Sequence, residues 1–279
     1  MIGTLSGPMK PRSRLVRVVR CLLAVGAGMV GVSAAVATTA SATDMNTHQF
    51  NLYGWKGNAG GLPPATEVKN RVNASSPTYP FVITLNEVCS NQYDAINADL
   101  VSKGYTGFPS PSILFFGQPN CSWFGNALFV LGARQTDFIF TYSAQKVDPN
   151  NENRNLVCAA MTSFLTDFFA CATHLESDDL SYSQPQADEA IYLFNSNYPS
   201  YRKELGGDLN MNSLNSHLAG FYSQHSEADE QLYKRSTTDG GVAIDYSFAS
   251  KANLSRWQMA SIDSVSSSDH HYYRGWFRF

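Results

Sequence analysis

The sequence predicts an α/β sandwich, with sheets packed together and helices outside. Three observations carry this. Many short apolar runs have strand length and are bounded by turn residues. A few segments of helical spacing are scattered between them. Beyond residue 42 the chain runs for 237 of its 279 residues without an internal repeat or low-complexity linker. That length suits one large domain with a full core.

The first 42 residues read as a secretory signal peptide. Lys10, Arg12, Arg14, Arg17 and Arg20 form a positive n-region, and Cys21 to Val36 is apolar and rich in small residues. Ala40-Ser41-Ala42 offers an A-x-A site with cleavage before Thr43. The competing reading, an uncleaved anchor, is weakened by the Gly and Ser that interrupt the run. Residues 43–279 then form the catalytic domain, and the protein is expected to be extracellular. Five of the 20 Lys and Arg lie in the leader, whereas all 23 Asp and Glu lie beyond it, so the net charge moves from −3 to −8. Such a chain is not built for tight, nonspecific grip on nucleic acid.

The elements follow in order. "HQFNLYGW" (48–55) reads as a strand, "PATEVKNRV" (64–72) as a helix and "PFVITLNEV" (80–88) as a strand turning polar at its end. "NQYDAINADLVSKG" (91–104) has helical spacing closed by Gly104. "GNALFVLG", "TDFIFTYS", "NLVCAAMTSF" and "LTDFFACATHL" read as strands, and "QPQADEAIYLFNSNY" (184–198) as a helix. "GVAIDYSFAS" (241–250) and "YYRGWFRF" (272–279) are the last two strands read.

Four cysteines lie beyond the leader: Cys89, Cys121, Cys158 and Cys171. An even number in an exported chain points to two disulfides, with about three pairings open. Cys158 and Cys171 lie equally far from the turn at Phe164-Leu165, hence opposite each other in a hairpin. That leaves Cys89 for Cys121. Without C-x-x-C spacing, a zinc site has little support.

Polar residues that interrupt or end the apolar runs are the site candidates. They are Asn51, Glu87, His174, Asp208, Asn210, Asp245, Asp269 and His270. Asp208 and Asn210 sit in "ELGGDLNMNS", where an extended chain would turn both to one face and two glycines would let a ligand approach. Asp245 lies in "VAIDYSF", where a lone carboxylate is costly unless paired. Each has a plain structural explanation taken singly. Together they contain what metal-assisted phosphodiester hydrolysis needs: oxygen ligands, a His–carboxylate base, and donors for phosphate oxygens.

The ordered set N…E…THL…GDLN…IDY…SDH resembles the endonuclease/exonuclease/phosphatase superfamily, as a secreted, bacterial-type member, from about Asn51 to the last strand. The resemblance implies a four-layer α/β/β/α sandwich of two packed, mostly antiparallel sheets, as in deoxyribonuclease I. It implies Mg²⁺, with Mn²⁺ or Ca²⁺ as substitutes, held by Glu87, with Asn51 organising it and Asp269 beside it. By the same likeness His270 is the general base, oriented by Asp245. Asp208 and Asn210 position water and phosphate, and His174 binds phosphate or protonates the leaving oxygen. His271 is a neighbour facing the other way.

Two departures stand out. Asn86 occupies the place of the usual Gln, and Phe129-Val130-Leu131 follows "GNAL" where Ser-Arg is usual. A substrate cation must then come from elsewhere, such as Arg134. The leading expectation is a monomeric, metal-dependent nuclease acting on DNA or RNA with little base preference, since no stacking motif is apparent. The first alternative is a phospholipid headgroup phosphodiesterase, for which "ILFFG" (113–117) would be the membrane-touching loop unless it is a buried strand. The second is a non-catalytic binding or toxin-type protein on the same fold. No stable protein partner is implied.

Overall fold

The computed structural model describes residues 44–115, 118–147, 152–162, 167–230, 234–255 and 258–279. Residues 1–43, which hold the expected leader, therefore lie outside the described residues, as do Phe116, Trp257 and the tip of the Cys158–Cys171 hairpin. Strand β1 (Asp44–Asn51) leads to helix α1 (Pro63–Ala74), strand β2 (Val82–Cys89) and helix α2 (Ser90–Val101). Strands β3 (Tyr105–Leu114), β4 (Trp123–Leu131), β5 (Ala133–Thr141), β6 (Asn155–Thr162) and β7 (Asp167–His174) follow. Helix α3 (Leu180–Ser196), strand β8 (Arg202–Asp208), helix α4 (Ala219–Gln224) and the short β9 (His225–Glu227) come next. The described chain closes with β10 (Asp245–Ser250), β11 (Gln258–Asp263) and β12 (Tyr272–Arg278).

Two six-stranded sheets result, ordered β11-β12-β1-β2-β4-β3 and β5-β6-β7-β8-β10-β9. β1/β2 and β7/β8 are parallel and the other pairs antiparallel. Helices α1 and α2 cover one sheet through Val68, Val72, Ile96 and Leu100. Helices α3 and α4 cover the other through Ala187, Ala190, Phe194 and Phe221. This is the four-layer sandwich.

The alternation of strand side chains explains both the layers and the site. In β6, Leu156, Cys158 and Ala160 face the helices, while Val157, Ala159 and Met161 face the opposite sheet. Each such buried apolar side chain contributes roughly 1.5–3 kcal/mol when it is as large as Val, Leu or Phe. The inter-sheet face is apolar only at one end. Along β1 it reads Met45, Thr47, Gln49, Asn51; along β2 it reads Val82, Thr84, Asn86. β4 gives Val130, Leu128, Asn126, and β10 gives Ala249, Ser247, Asp245. Strands running in opposite directions turn polar at the same end, and the candidate residues gather there.

Several expectations shift in detail. The first strand stops at Asn51 rather than Trp55, because Asn51 Oδ1 accepts from Tyr53 N (3.0 Å) and Tyr53 is left-handed (φ 49°). β3 carries Pro109 and Pro111 and reads poorly as a strand; it is tolerated because it lies at a sheet edge. Of "ILFFG", Ile113 and Leu114 end that strand and half-buried Phe115 packs against Trp55 and Phe124, while Phe116 and Gly117 lie outside the described residues. Both disulfides form as expected, Cys89–Cys121 and Cys158–Cys171, the second across paired register positions.

Candidate active site

Asp208 ends β8 and is the hub of the polar end. Its Oδ2 accepts from Asn51 Nδ2 at 3.1 Å, and lies 3.5 Å from His174 Nε2 and 3.7 Å from His270 Nε2. Its backbone N–H donates to Asn86 Oδ1 at 2.9 Å. Asn51 Nδ2 also donates to Glu87 Oε1 at 3.2 Å. Asn51 thus ties together the two carboxylates, while its own oxygen is engaged by Tyr53 N.

Glu87 sits at a bulge where β2 shifts register against β4, and its φ is +54°. A non-glycine residue there is strained, and the bulge re-aims its side chain into the cleft. Burial raises the Glu87 pKa, against the lowering influence of the Asn51 bond and of His270, Arg154 and Lys56. Asp208 is raised by burial and then by Asp245, against His270.

The His–carboxylate pair is present. His270 Nδ1 donates to Asp245 Oδ2 at 2.8 Å. Gln49 Nε2 holds the other oxygen, Asp245 Oδ1, at 3.1 Å. Burial opposes the imidazolium charge, but Asp245, Asp208 and Asp269 outweigh it and push His270 up to about 10. His174 is the opposite case. Arg154 Nη1 donates to its Nδ1 at 2.9 Å, and burial, then Arg154, His270 and Lys56, lower its pKa well below 6.5.

Asn210 does not share a pleated face with Asp208. It is left-handed (φ 50°), its N–H caps Asp208 Oδ1 at 2.9 Å, and its Nδ2 donates to Leu175 O at 2.9 Å. The paired glycines serve the protein rather than a ligand. A Cβ on Gly206 would meet Thr84 Oγ1 at 2.2 Å, and one on Gly207 would meet Thr173 O at 2.0 Å. Asp269 is exposed beside this cluster, its carbonyl accepting from Asp239 N. His271 faces away, as expected, against Asp239 (3.1 Å) and Ser236.

Arg134 is not the missing cation. It lies on β5, 57% exposed, paired with Asp137 and stacked over Phe108. Arg154 and Lys56 line the cleft instead. Nothing in "NENRNLVC" distinguishes Arg154 from a surface arginine. Gln49 was legible in principle, two residues before Asn51 and so on the same face. Asn86 is a second hub: it accepts from Gln49 Nε2 and donates to Asn126 Oδ1 and Thr173 O, each at 2.9 Å.

The donor set fits a hard divalent cation. Glu87 and Asp208 offer under-compensated carboxylates and no thiol is near, since the four described cysteines are bonded in pairs. Asp208, Asp245 and His270 also place ligand-type atoms within 4.8 Å of one another. Among these three, His270 and Asp245 already share a hydrogen bond.

No family model and no curated protein sequence matches the chain. Solved structures do. The catalytic domain of human Nocturnin, with bound sulfate, is 16% identical with a TM-score of 0.64, covering 84% of this chain and 94% of its own. An endonuclease/exonuclease/phosphatase from Bacteroides vulgatus is 14% identical, TM-score 0.62, covering 84% and 98%. A mannosyl-6-phosphatase from Bacteroides thetaiotaomicron is 13% identical, TM-score 0.62, covering 84% and 100%. The chain therefore has the deoxyribonuclease I-like fold of the endonuclease/exonuclease/phosphatase superfamily.

Proposed function

We propose that the protein is a secreted, Mg²⁺-dependent phosphoric ester hydrolase, and within that class a nuclease cutting DNA or RNA phosphodiester bonds. The observation that carries this reading is the cluster on Asp208 Oδ2: Asn51, His174 and His270 converge there, with Glu87 bonded to the same Asn51. A binding module has no need to bury His174, His270, Asp208 and Asp245 beside half-buried Glu87 at one cleft. The fold supports the phosphoester class, since its similar structures include a phosphatase.

Glu87, with Asp208 beside it, would hold the cation, which supplies Lewis-acid polarisation of the phosphoryl group. Asn51 fixes the two carboxylates relative to each other. His270, aligned by Asp245, takes the proton from the attacking water. Asn210 caps Asp208 and so holds its carboxylate in place. Neutral His174 presents an Nε2–H donor to the phosphate or leaving oxygen, and Arg154 and Lys56 supply positive potential. The two disulfides and the leader support export. No helix among the described residues is long and apolar enough to cross a membrane.

The test is the purified protein with Mg²⁺ against plasmid DNA, RNA, sphingomyelin vesicles and a generic phosphodiester. Nucleic acid should be cut, and a chelator should stop it. Hydrolysis of sphingomyelin alone would move the assignment to the lipid branch; no hydrolysis of any of them would remove the enzyme reading.

A further inference from the structure

Beside Glu87 and His174 lies a cleft enclosing about 150 Å³, walled by Trp55, Ile113, Phe115 and Phe124 and bordered by Lys56 and Arg154. Trp55 and Phe115 have ring centroids 4.7 Å apart at 32°, and Phe115 and Phe124 are 6.4 Å apart. An aromatic platform therefore adjoins the reacting centre, contrary to the expectation that no stacking element is present.

Both walls are rigid. Gly54 N donates to Glu87 O at 3.0 Å, and a Cβ at Gly54 would meet that oxygen at 2.2 Å. Only glycine lets the Trp55–Lys56 turn close onto the strand carrying Glu87. Asn58 Nδ2 fastens the same turn to Leu52 O, Tyr53 O and Ser267 O. On the other side, Phe124 packs on the Cys89–Cys121 disulfide, and Phe115 N donates to Ser122 O at 2.9 Å. Rings held this way lose little freedom when a ligand stacks on them.

We propose that this cleft seats one unstacked nucleobase flanking the scissile phosphate, so that the substrate class is single-stranded nucleic acid; this rests on the phosphodiesterase reading above. Three features select it. The volume is well below the roughly 300–1,000 Å³ of drug-sized ligand pockets and suits one flat ring system. Three of the wall residues are aromatic, and aromatic rings stack any base without reading its edge. Lys56 and Arg154, the latter paired with Glu152 at 3.0 Å, line the cleft beside Glu87 and would face the adjoining phosphate. A duplex keeps its bases stacked and paired, out of reach of such a cleft unless one is flipped out. A lipid-entering surface would project its aromatics into solvent, whereas half-buried Phe115 packs along the cleft against Trp55 and Phe124.

The experiment compares wild type, Trp55→Leu and Trp55→Phe on three oligomers of one sequence: single-stranded, the same strand with an abasic spacer beside the cleaved bond, and duplex. Wild type should favour the intact single strand over both others. Trp55→Leu should lower the intact-to-abasic ratio of kcat/KM by about ten-fold, the scale of one base-stacking contact. Trp55→Phe should recover most of it. In parallel, with chelator present, adenosine monophosphate should quench tryptophan emission in wild type and much less in Trp55→Leu, whereas ribose 5-phosphate should quench neither. Far-UV circular dichroism checks folding, and a misfolded Trp55→Leu is replaced by Phe115→Leu under the same criteria. An unchanged intact-to-abasic ratio with hydrolysis intact would overturn the base seat and leave the hydrolase reading standing. No hydrolysis with selective quenching would sustain the seat and sink the hydrolase reading. Turnover of sphingomyelin vesicles but not oligomers, lost in Trp55→Leu, would replace the nucleobase with a lipid.

Discussion

Nη1 of Arg154 lies 2.9 Å from Nδ1 of His174. A guanidinium only donates, so Nδ1 accepts and the ring proton sits on Nε2, facing Asp208 Oδ2 at 3.5 Å. This contact selects the tautomer, while burial first, and Arg154 beside it, keep His174 neutral.

Arg154→Met should release that selection. The His174 pKa should rise only part of the way in an NMR titration of the imidazole nitrogens, since burial, the larger cause, remains. The kcat/KM for phosphodiester hydrolysis should fall about 10²-fold, as for loss of one transition-state donor. A variant in which His174 stays neutral with its proton on Nε2, at wild-type rate, would remove Arg154 from the site.

Asp245→Asn should act through His270. In the metal-free protein His270 is pushed up to about 10, so it holds its proton at neutral pH. Replacing the carboxylate should lower that pKa, readable by NMR in the presence of chelator, and cut kcat by about 10²–10⁴-fold. In wild type, the rate should climb as pH rises, because a base must be unprotonated to act.

Glu87→Gln should separate metal binding from chemistry. Added Mg²⁺ should raise the Tm of wild type by mass action, and this shift should largely vanish in Glu87→Gln. His270→Ala should keep the shift and lose turnover. Full wild-type activity after exhaustive chelation would remove the metal from the mechanism.

Glu204 offers a stability test away from the reacting atoms. It is fully buried between the sheets, bonded by Ser247 Oγ at 2.9 Å, with Oε2 unpartnered, and burial raises its pKa from 4.5 to about 8. A raised carboxyl contributes stability fully below the unfolded value and loses it as pH rises through the folded value. Glu204→Gln should therefore match wild type near pH 4.5 and become progressively the more stable of the two up to about pH 8. Thermal unfolding across that range checks the sign; a difference that shrinks with rising pH would contradict it.

Whereas β8, β9, β11 and α4 were not read, most of the strands, helices α1 to α3, the two disulfides and the choice of eight polar candidates were legible in the chain itself. Their signals are local: alternation in "NLVCAAM" and "FFACATH", an even cysteine count, and carboxylates stranded in apolar runs such as "VAIDYSF". Strand β3 escaped because its prolines are acceptable only at a sheet edge, and being an edge is a property of the assembled sheet. Asn210 was misplaced onto a pleated face because the left-handed turn after Asp208 is stabilised by Leu175, 35 residues earlier. The glycines before Asp208 could be assigned to sheet packing only once Thr84 and Thr173 were seen against them. Arg154, Gln49 and the Trp55–Phe115 platform likewise meet their partners across the sheets or across loops. Periodicity and composition specify which face a residue occupies along its own strand. Which charges, rings and donors then confront one another depends on distances between segments far apart in the chain, and those exist only after the two sheets have packed.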